Sequence, residues 1–244
     1  TEWQGAWTTF ASHEKTWAYQ QDQLRTTHPV VADMVDLQAV EVNFDGITYA
    51  KGGSVLKQLV AYVGRDAFRE GVRAYFRKHA WGNTEMKDLV SELEAASGRD
   101  LSDWGTKWLN TSGVNTLELV VETDPEGTIT SAAVAQTHDE GFPTLRTHRI
   151  GVAGYDLIDG AFTQTVRFEI DVDGERTDVP QLVGTARPAL LVPNDDDLTY
   201  CKIKLDEVSE AAVLANPAAI NDSMLRTLLV GSFWEQVRAA QFPA

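Results

Sequence analysis

The segment Asn43-Phe-Asp-Gly-Ile-Thr-Tyr-Ala-Lys-Gly-Gly-Ser-Val-Leu56 concentrates residue types able to do chemistry. It reads as a short loop carrying Tyr49 that runs straight into a helix, with Gly52 and Gly53 in the first helical turn. Two glycines weaken a helix, so their presence predicts a close approach to the backbone there. A phenol just before a helix N-terminus can donate a hydrogen bond to a nearby oxygen. On residue types alone Tyr49 has two open roles, a packing residue or a hydrogen-bond donor in a site.

Other candidate groups fall short of a site. His13-Glu14 opens like H-E-x-x-H, which sets two metal-binding histidines on one helical face with a glutamate as general base. The fifth position is Trp17, so the pair reads as exposed polar residues on a helix. His28, His79, His138 and His148 show no ligand spacing with one another. His138-Asp139-Glu140 and Asp195-Asp196-Asp197 lack the alternating oxygen ligands and placed glycine of a calcium loop, and read as solvated turns. Ser54 lacks the G-x-S-x-G setting of an activated serine, and Cys201 ends an apolar strand, where a buried and inert thiol is expected. No phosphate-binding or dinucleotide-binding glycine pattern occurs.

The chain of 244 residues carries 21 basic and 36 acidic side chains, a formal charge of -15. Such a surface repels nucleic-acid phosphates and anionic lipid, so neither is expected as a partner. No apolar run approaches the length of a membrane span. One cysteine cannot form an intrachain disulfide, which fits a reducing, cytoplasmic compartment and is also compatible with secretion. Thr1 lacks an initiator methionine, and Trp3, Ala6, Trp7 and Phe10 already recur at helical spacing, so the chain reads as a piece of something longer.

Three regions must position these residues. Up to about residue 115 the periodicity is helical: Val55, Leu56, Leu59, Val60 and Val63 share a face, as do Phe68, Val72, Tyr75 and Phe76. Met86, Leu89, Val90 and Leu93 mark a third helix with Thr84 placed to cap it. Leu101, Trp104 and Trp108 mark a fourth. From residue 116, alternation at Leu117, Leu119 and Val121 begins a series of short strands. The others span 129–134, 148–152, 165–170, 189–192 and 200–203, with turns such as Asp173-Gly174 between them. Six or seven strands in this stretch predict an antiparallel β-sandwich. From Asp206 helix returns, with Leu225, Leu228, Leu229, Phe233 and Val237 in a stripe that either packs on the sandwich or begins a further domain.

The run Phe44-Asp-Gly-Ile-Thr-Tyr-Ala-Lys-Gly-Gly-Ser-Val-Leu56 closely resembles a segment of the aminopeptidase N family, F-D-x-I-[ST]-Y-x-K-G-[AG]-x-V-L. Thr26-Thr-His-Pro-Val30 resembles the family's S/T-x-H-P loop before it. Trp104 to Leu117 resembles the end of the catalytic domain, and Leu225 to Val237 the opening of the C-terminal helical domain. The resemblance implies an α+β multi-domain chain. Residues 1–115 would be the helical tail of a thermolysin-like catalytic domain, 116–204 the β-sandwich domain, and 205–244 the first helices of a C-terminal helical domain.

It also implies a zinc aminopeptidase acting on peptides with a free N-terminus. In that family the tyrosine matching Tyr49 donates a hydrogen bond to the oxygen of the tetrahedral intermediate. The H-E-x-x-H motif, the downstream glutamate ligand and the G-x-M-E-N loop for the substrate amine are absent from this chain. The resemblance therefore implies that zinc belongs to a longer enzyme, that this chain binds none, and that alone it is inactive. Two alternatives stay open: an inert scaffold of the same descent, or a small independent hydrolase using carboxylates.

Overall fold

The structure, a computed structural model, describes residues 5–32 and 35–241, so Trp3 of the opening helical pattern lies outside the described residues. Helix α1 (Ala6–Thr9) passes through a π-helical turn (Phe10–Glu14) into α2 (Lys15–Asp22). After α3 (Leu37–Val42), a second π-helical turn (Ile47–Lys51) runs without a break into α4 (Gly52–Val63). Helices α5 (Arg65–Lys78), α6 (Met86–Ser97) and α7 (Ser102–Leu109) complete this half. Its core gathers Ala18, Val55, Leu59, Val63, Leu93, Leu101, Trp104 and Trp108. Helices α5 and α6 meet at Gly71, where a Cβ would fall 2.8 Å from Leu93 Cδ2.

Some details of the helical reading change, and Phe76, read on one face with Phe68, Val72 and Tyr75, is exposed. Leu56, placed with Val55 and Leu59 on the inner face, is half exposed, because adjacent helical residues point about 100° apart. The cap of α6 is Glu85 rather than Thr84, with Asp88 accepting from the Glu85 amide at 2.8 Å. Thr84 is used instead by the Tyr75 hydroxyl.

Strands β1 (Thr116–Thr123), β2 (Ile129–Thr137), β3 (His148–Ile158), β4 (Ala161–Val172), β5 (Arg176–Asp178), β6 (Leu190–Asp195) and β7 (Lys202–Lys204) form two sheets. Their orders are β5-β2-β1-β7 and β4-β3-β6. All pairings among these strands are antiparallel except β1 with β7, which run parallel from Thr116 opposite Lys202 to Glu118 opposite Lys204. The expected antiparallel sandwich is thus a mixed one, because the chain reaches β7 from a distant strand rather than through a hairpin. Strands β3 and β4 are longer than the periodicity suggests and meet at Asp159-Gly160, both at positive φ (51° and 78°), which suits a tight hairpin. Helices α8 (Glu207–Ala215) and α9 (Ser223–Arg238) follow. Val213, Leu225 and Leu229 join Leu117, Val134, Ile150, Val152 and Leu191 in the sandwich core, so the C-terminal apolar stripe packs on the sandwich.

The acidic run Asp195-Asp196-Asp197 overturns its reading as a solvated turn. Asp195 and Asp197 are each 4% exposed. Asp195 accepts from the Tyr155 hydroxyl at 2.6 Å and from Arg167 Nε at 3.0 Å, and Asp197 pairs with the buried ammonium of Lys15. Burial of a carboxylate is tolerable only with such partners. Cys201 is buried as expected, and burial pushes its thiol up to about 12.

The two halves meet across a polar seam. Arg146, buried in the approach to β3, donates to Asn115 Oδ1 and to the carbonyls of Lys107 and Ser112. His148 is fully buried, edge-on to Trp108 with ring centroids 5.1 Å apart. Its Nδ1 lies 2.9 Å from the Thr199 hydroxyl and its Nε2 lies 3.0 Å from Gln136 Oε1. Burial, reinforced by Arg146 and Lys15, lowers its pKa to about 3. The folded state therefore holds His148 neutral where the unfolded chain protonates it. This contribution is intact above about pH 6.5 and is lost as pH falls towards 3, by up to about 1.4 kcal/mol per pH unit. Urea unfolding between pH 7 and 4.5 should show a shallower loss of stability in His148→Gln than in the parent. Equal slopes would contradict a buried neutral imidazole.

Candidate functional site

The π-helical turn Ile47–Lys51 is the centre of the candidate site. Asp45 starts it: its Oδ1 accepts from the Ile47 amide at 3.0 Å and the Thr48 amide at 3.1 Å. Those amides open a helical segment and have no earlier carbonyl to bond, so the carboxylate caps them. Gly46 lies against α2, with its amide 2.8 Å from Gln21 Oε1. A Cβ there would fall 3.0 Å from Trp17 Cδ2 and 3.2 Å from the Ala18 nitrogen, so a larger residue would push the turn off α2. Ile47 is fully buried and fixes the inner side.

Tyr49 stands on the outer side of this turn with half of its surface exposed. Its ring meets Phe44 edge-on, with centroids 4.8 Å apart and planes at 66°. Sequence reasoning set Tyr49 in a loop just before a helix; it sits instead inside the π-helical turn that leads into α4. A π-helical turn inserts one residue into the helical register and turns a side chain away from its regular direction, a device common at functional sites. The close approach expected at Gly52 and Gly53 is not found among the described residues. Val30 and Phe10 would lie 3.7 and 3.4 Å from a Cβ at these positions, ordinary contact distances.

The other end of the turn is held by charge. Lys51 is completely buried, with Nζ 2.8 Å from Asp22 Oδ2, equally buried at the end of α2. The ammonium also points at the carbonyls of Thr111 and Gly113, at 3.3 and 3.4 Å. Asp22 Oδ1 accepts from the Gly113 amide at 2.8 Å and the Thr27 hydroxyl at 2.7 Å. Gly113, at φ 90° and with Phe142 within 2.4 Å of where a Cβ would stand, leaves no room for a side chain. Burial lowers the Lys51 pKa to about 8 while Asp22 opposes the shift, so the ammonium form prevails at neutral pH.

Sequence reasoning did not single out Asp22, His28 or Asp45 as parts of one arrangement. Asp22 and Lys51 are 29 residues apart, and no spacing rule joins them. His13, in the first π-helical turn, contacts Ser12 and lies in no metal-binding group. Among the described residues no cluster of three or more His, Cys, Asp or Glu could hold a metal ion. The donor set for zinc is therefore not met by these residues. None of the described helices is long and apolar enough to cross a membrane.

Replacing Lys51 with Met should strand the Asp22 carboxylate and destabilise the chain by about 3–5 kcal/mol, read by urea unfolding. Adding Asp22→Asn keeps the acceptor for Gly113 and removes the charge, so the double variant should be more stable than Lys51→Met alone. A double variant less stable than the single one would contradict the pairing.

Residues 1–108 match the family model of the Peptidase family M1 domain. The chain is 54% identical over 249 residues to aminopeptidase N of Streptomyces lividans, an alignment covering 99% of this chain and 29% of that protein. It is 34% identical over 110 residues to tricorn protease-interacting factor F2 of Thermoplasma volcanium, covering 45% of this chain and 14% of that protein. With a leucyl aminopeptidase of Saccharolobus solfataricus the identity is 38% over 105 residues, covering 41% and 13%. The chain thus spans less than a third of the length of these relatives. The family segment around Tyr49 lies within the matched domain, and both comparisons place this chain's similarity in peptidase family M1, with an aminopeptidase N along nearly all of its length.

Proposed function

We propose that this chain is part of a zinc aminopeptidase that removes N-terminal residues from peptides, and that Tyr49 is its contribution to the chemistry. Attack of water on a peptide carbonyl concentrates negative charge on the carbonyl oxygen. A phenol O–H held in place beforehand donates to that oxygen more strongly in the tetrahedral intermediate than in the substrate, which lowers the barrier. What carries the reading is the presentation of Tyr49. Its half-exposed phenol stands on a turn held at one end by the Asp45 carboxylate and at the other by a fully buried ion pair. The names of the Streptomyces and Saccharolobus relatives support the substrate class.

The metal and the general base would be supplied by parts of the enzyme outside this chain, since its described residues offer no ligand cluster. Zinc, when bound there, polarises the scissile carbonyl. In the longer enzyme, residues 1–115 would be the tail of the catalytic domain, 116–204 the sandwich domain and 205–244 the start of a helical domain.

In the zinc-loaded enzyme that carries this sequence, Tyr49→Phe should lower kcat for a leucine anilide by about 100- to 1000-fold, the usual loss for one oxyanion donor. Zinc content should stay unchanged. Full activity of this variant would remove Tyr49 from the mechanism. The 244-residue chain alone, supplied with zinc, should not hydrolyse the anilide. Activity abolished by a chelator would contradict the proposed division of labour.

A further inference from the structure

We infer that His28 is a positioning residue for Tyr49, acting through Asp45; this rests on the proposed role of Tyr49. The two sequence runs around Thr26-Thr-His-Pro-Val30 and Phe44 to Leu56 are joined by a polar contact, His28 Nε2 to Asp45 Oδ2 at 3.0 Å. The carboxylate therefore has one oxygen against the imidazole and the other against the amides of Ile47 and Thr48. Because the two oxygens belong to one carboxylate, rotation of Oδ2 away from His28 also moves the Oδ1 that caps the turn carrying Tyr49.

His28 is itself fixed. Its Nδ1 lies 2.8 Å from the Pro29 carbonyl, so each ring nitrogen faces an oxygen. Pro29 fixes its own φ and restricts the backbone of His28 before it. Two residues on, the Val31 amide donates to the Leu109 carbonyl at 2.9 Å, which ties the segment to the end of α7. Between them Val30 packs at Gly52. The His28 segment thus lies along the π-helical turn and is anchored independently of it.

The two ends of the turn differ in kind. At Lys51 a completely buried ion pair sets the position, whereas His28 and Asp45 remain about one-fifth exposed. Tyr49 lies four residues after Asp45, its amide donating to the Asp45 carbonyl at 3.1 Å. Phe44, which buttresses the Tyr49 ring, immediately precedes Asp45. A shift of Asp45 therefore moves both the backbone beneath the phenol and the ring beside it. A displacement near 1 Å of a reacting or donating group costs up to about 100-fold in rate.

The test uses the zinc-loaded enzyme with His28→Ala, His28→Gln and Tyr49→Phe, alone and combined, on a leucine anilide. His28→Ala should lower kcat by about 10- to 100-fold with little change in KM, and His28→Gln, which keeps one donor towards Asp45, should recover part of it. In the Tyr49→Phe background, His28→Ala should cost less than about twofold, because the group it positions is gone. In the same proteins, hydrogen exchange at the Ile47 and Thr48 amides should quicken in His28→Ala while that of α4 stays unchanged. Equal losses from His28→Ala in both backgrounds, or unchanged kcat and exchange, would overturn the positioning role while leaving Tyr49 in place. Full activity of Tyr49→Phe would instead overturn the role of Tyr49, and with it the catalytic meaning of the contact.

Discussion

The ion pair between Lys51 and Asp22 ties together three pieces of chain that are distant in sequence: the end of α2, the π-helical turn with Tyr49, and the joint at Gly113 where the helices give way to the sandwich. Taking two charges out of water costs several kcal/mol for each ion, and their attraction alone does not reliably recover it. The remaining lone pairs and hydrogens are used here: Asp22 accepts from Gly113 and Thr27 besides Lys51, and Lys51 points at two carbonyls besides Asp22. Such a pair adds little net stability over an apolar substitute. Its consequence is uniqueness of position, because any other packing of the turn would leave a buried charge without its partner.

The rest of the seam follows the same logic. Arg146 satisfies the carbonyls at the end of α7, and His148 stays neutral between Thr199 and Gln136 while stacking edge-on against Trp108. Lys15 reaches from the first helices to Asp197 and the Thr199 carbonyl. The helical half and the sandwich are thus joined by directed polar contacts as well as by packing. Directed contacts fix orientation where apolar contact alone would let the halves slide. The phenol of Tyr49 inherits that definition through a turn only a few residues long.

The sequence made some layers legible and hid others for physical reasons. Apolar periodicity located α4 to α7 and most strands, because burial of one face imposes it. It missed β5, three residues long, and the parallel direction in which β7 pairs with β1, since pairing direction leaves no local mark. It also failed on Asp195 and Asp197, whose solvated look came from composition while their partners Tyr155, Arg167 and Lys15 lie far away in the chain. Tyr49 stood out because an aromatic followed by paired glycines is locally unusual. The π-helical register was not visible, nor were Asp22, His28 and Asp45 as its supports, because contacts over 17 to 29 residues obey no spacing rule.

The most direct measurement of the account's central claim compares two inhibitors on the zinc-loaded enzyme with Tyr or Phe at position 49. One is a tetrahedral phosphinate that mimics the intermediate, and the other a free amino acid that mimics the product. A donor aimed at the developing oxyanion predicts that the Phe variant weakens the phosphinate by about 100-fold or more and leaves the amino acid almost unaffected. Equal weakening of both, or of neither, would contradict the claim that Tyr49 serves the transition state.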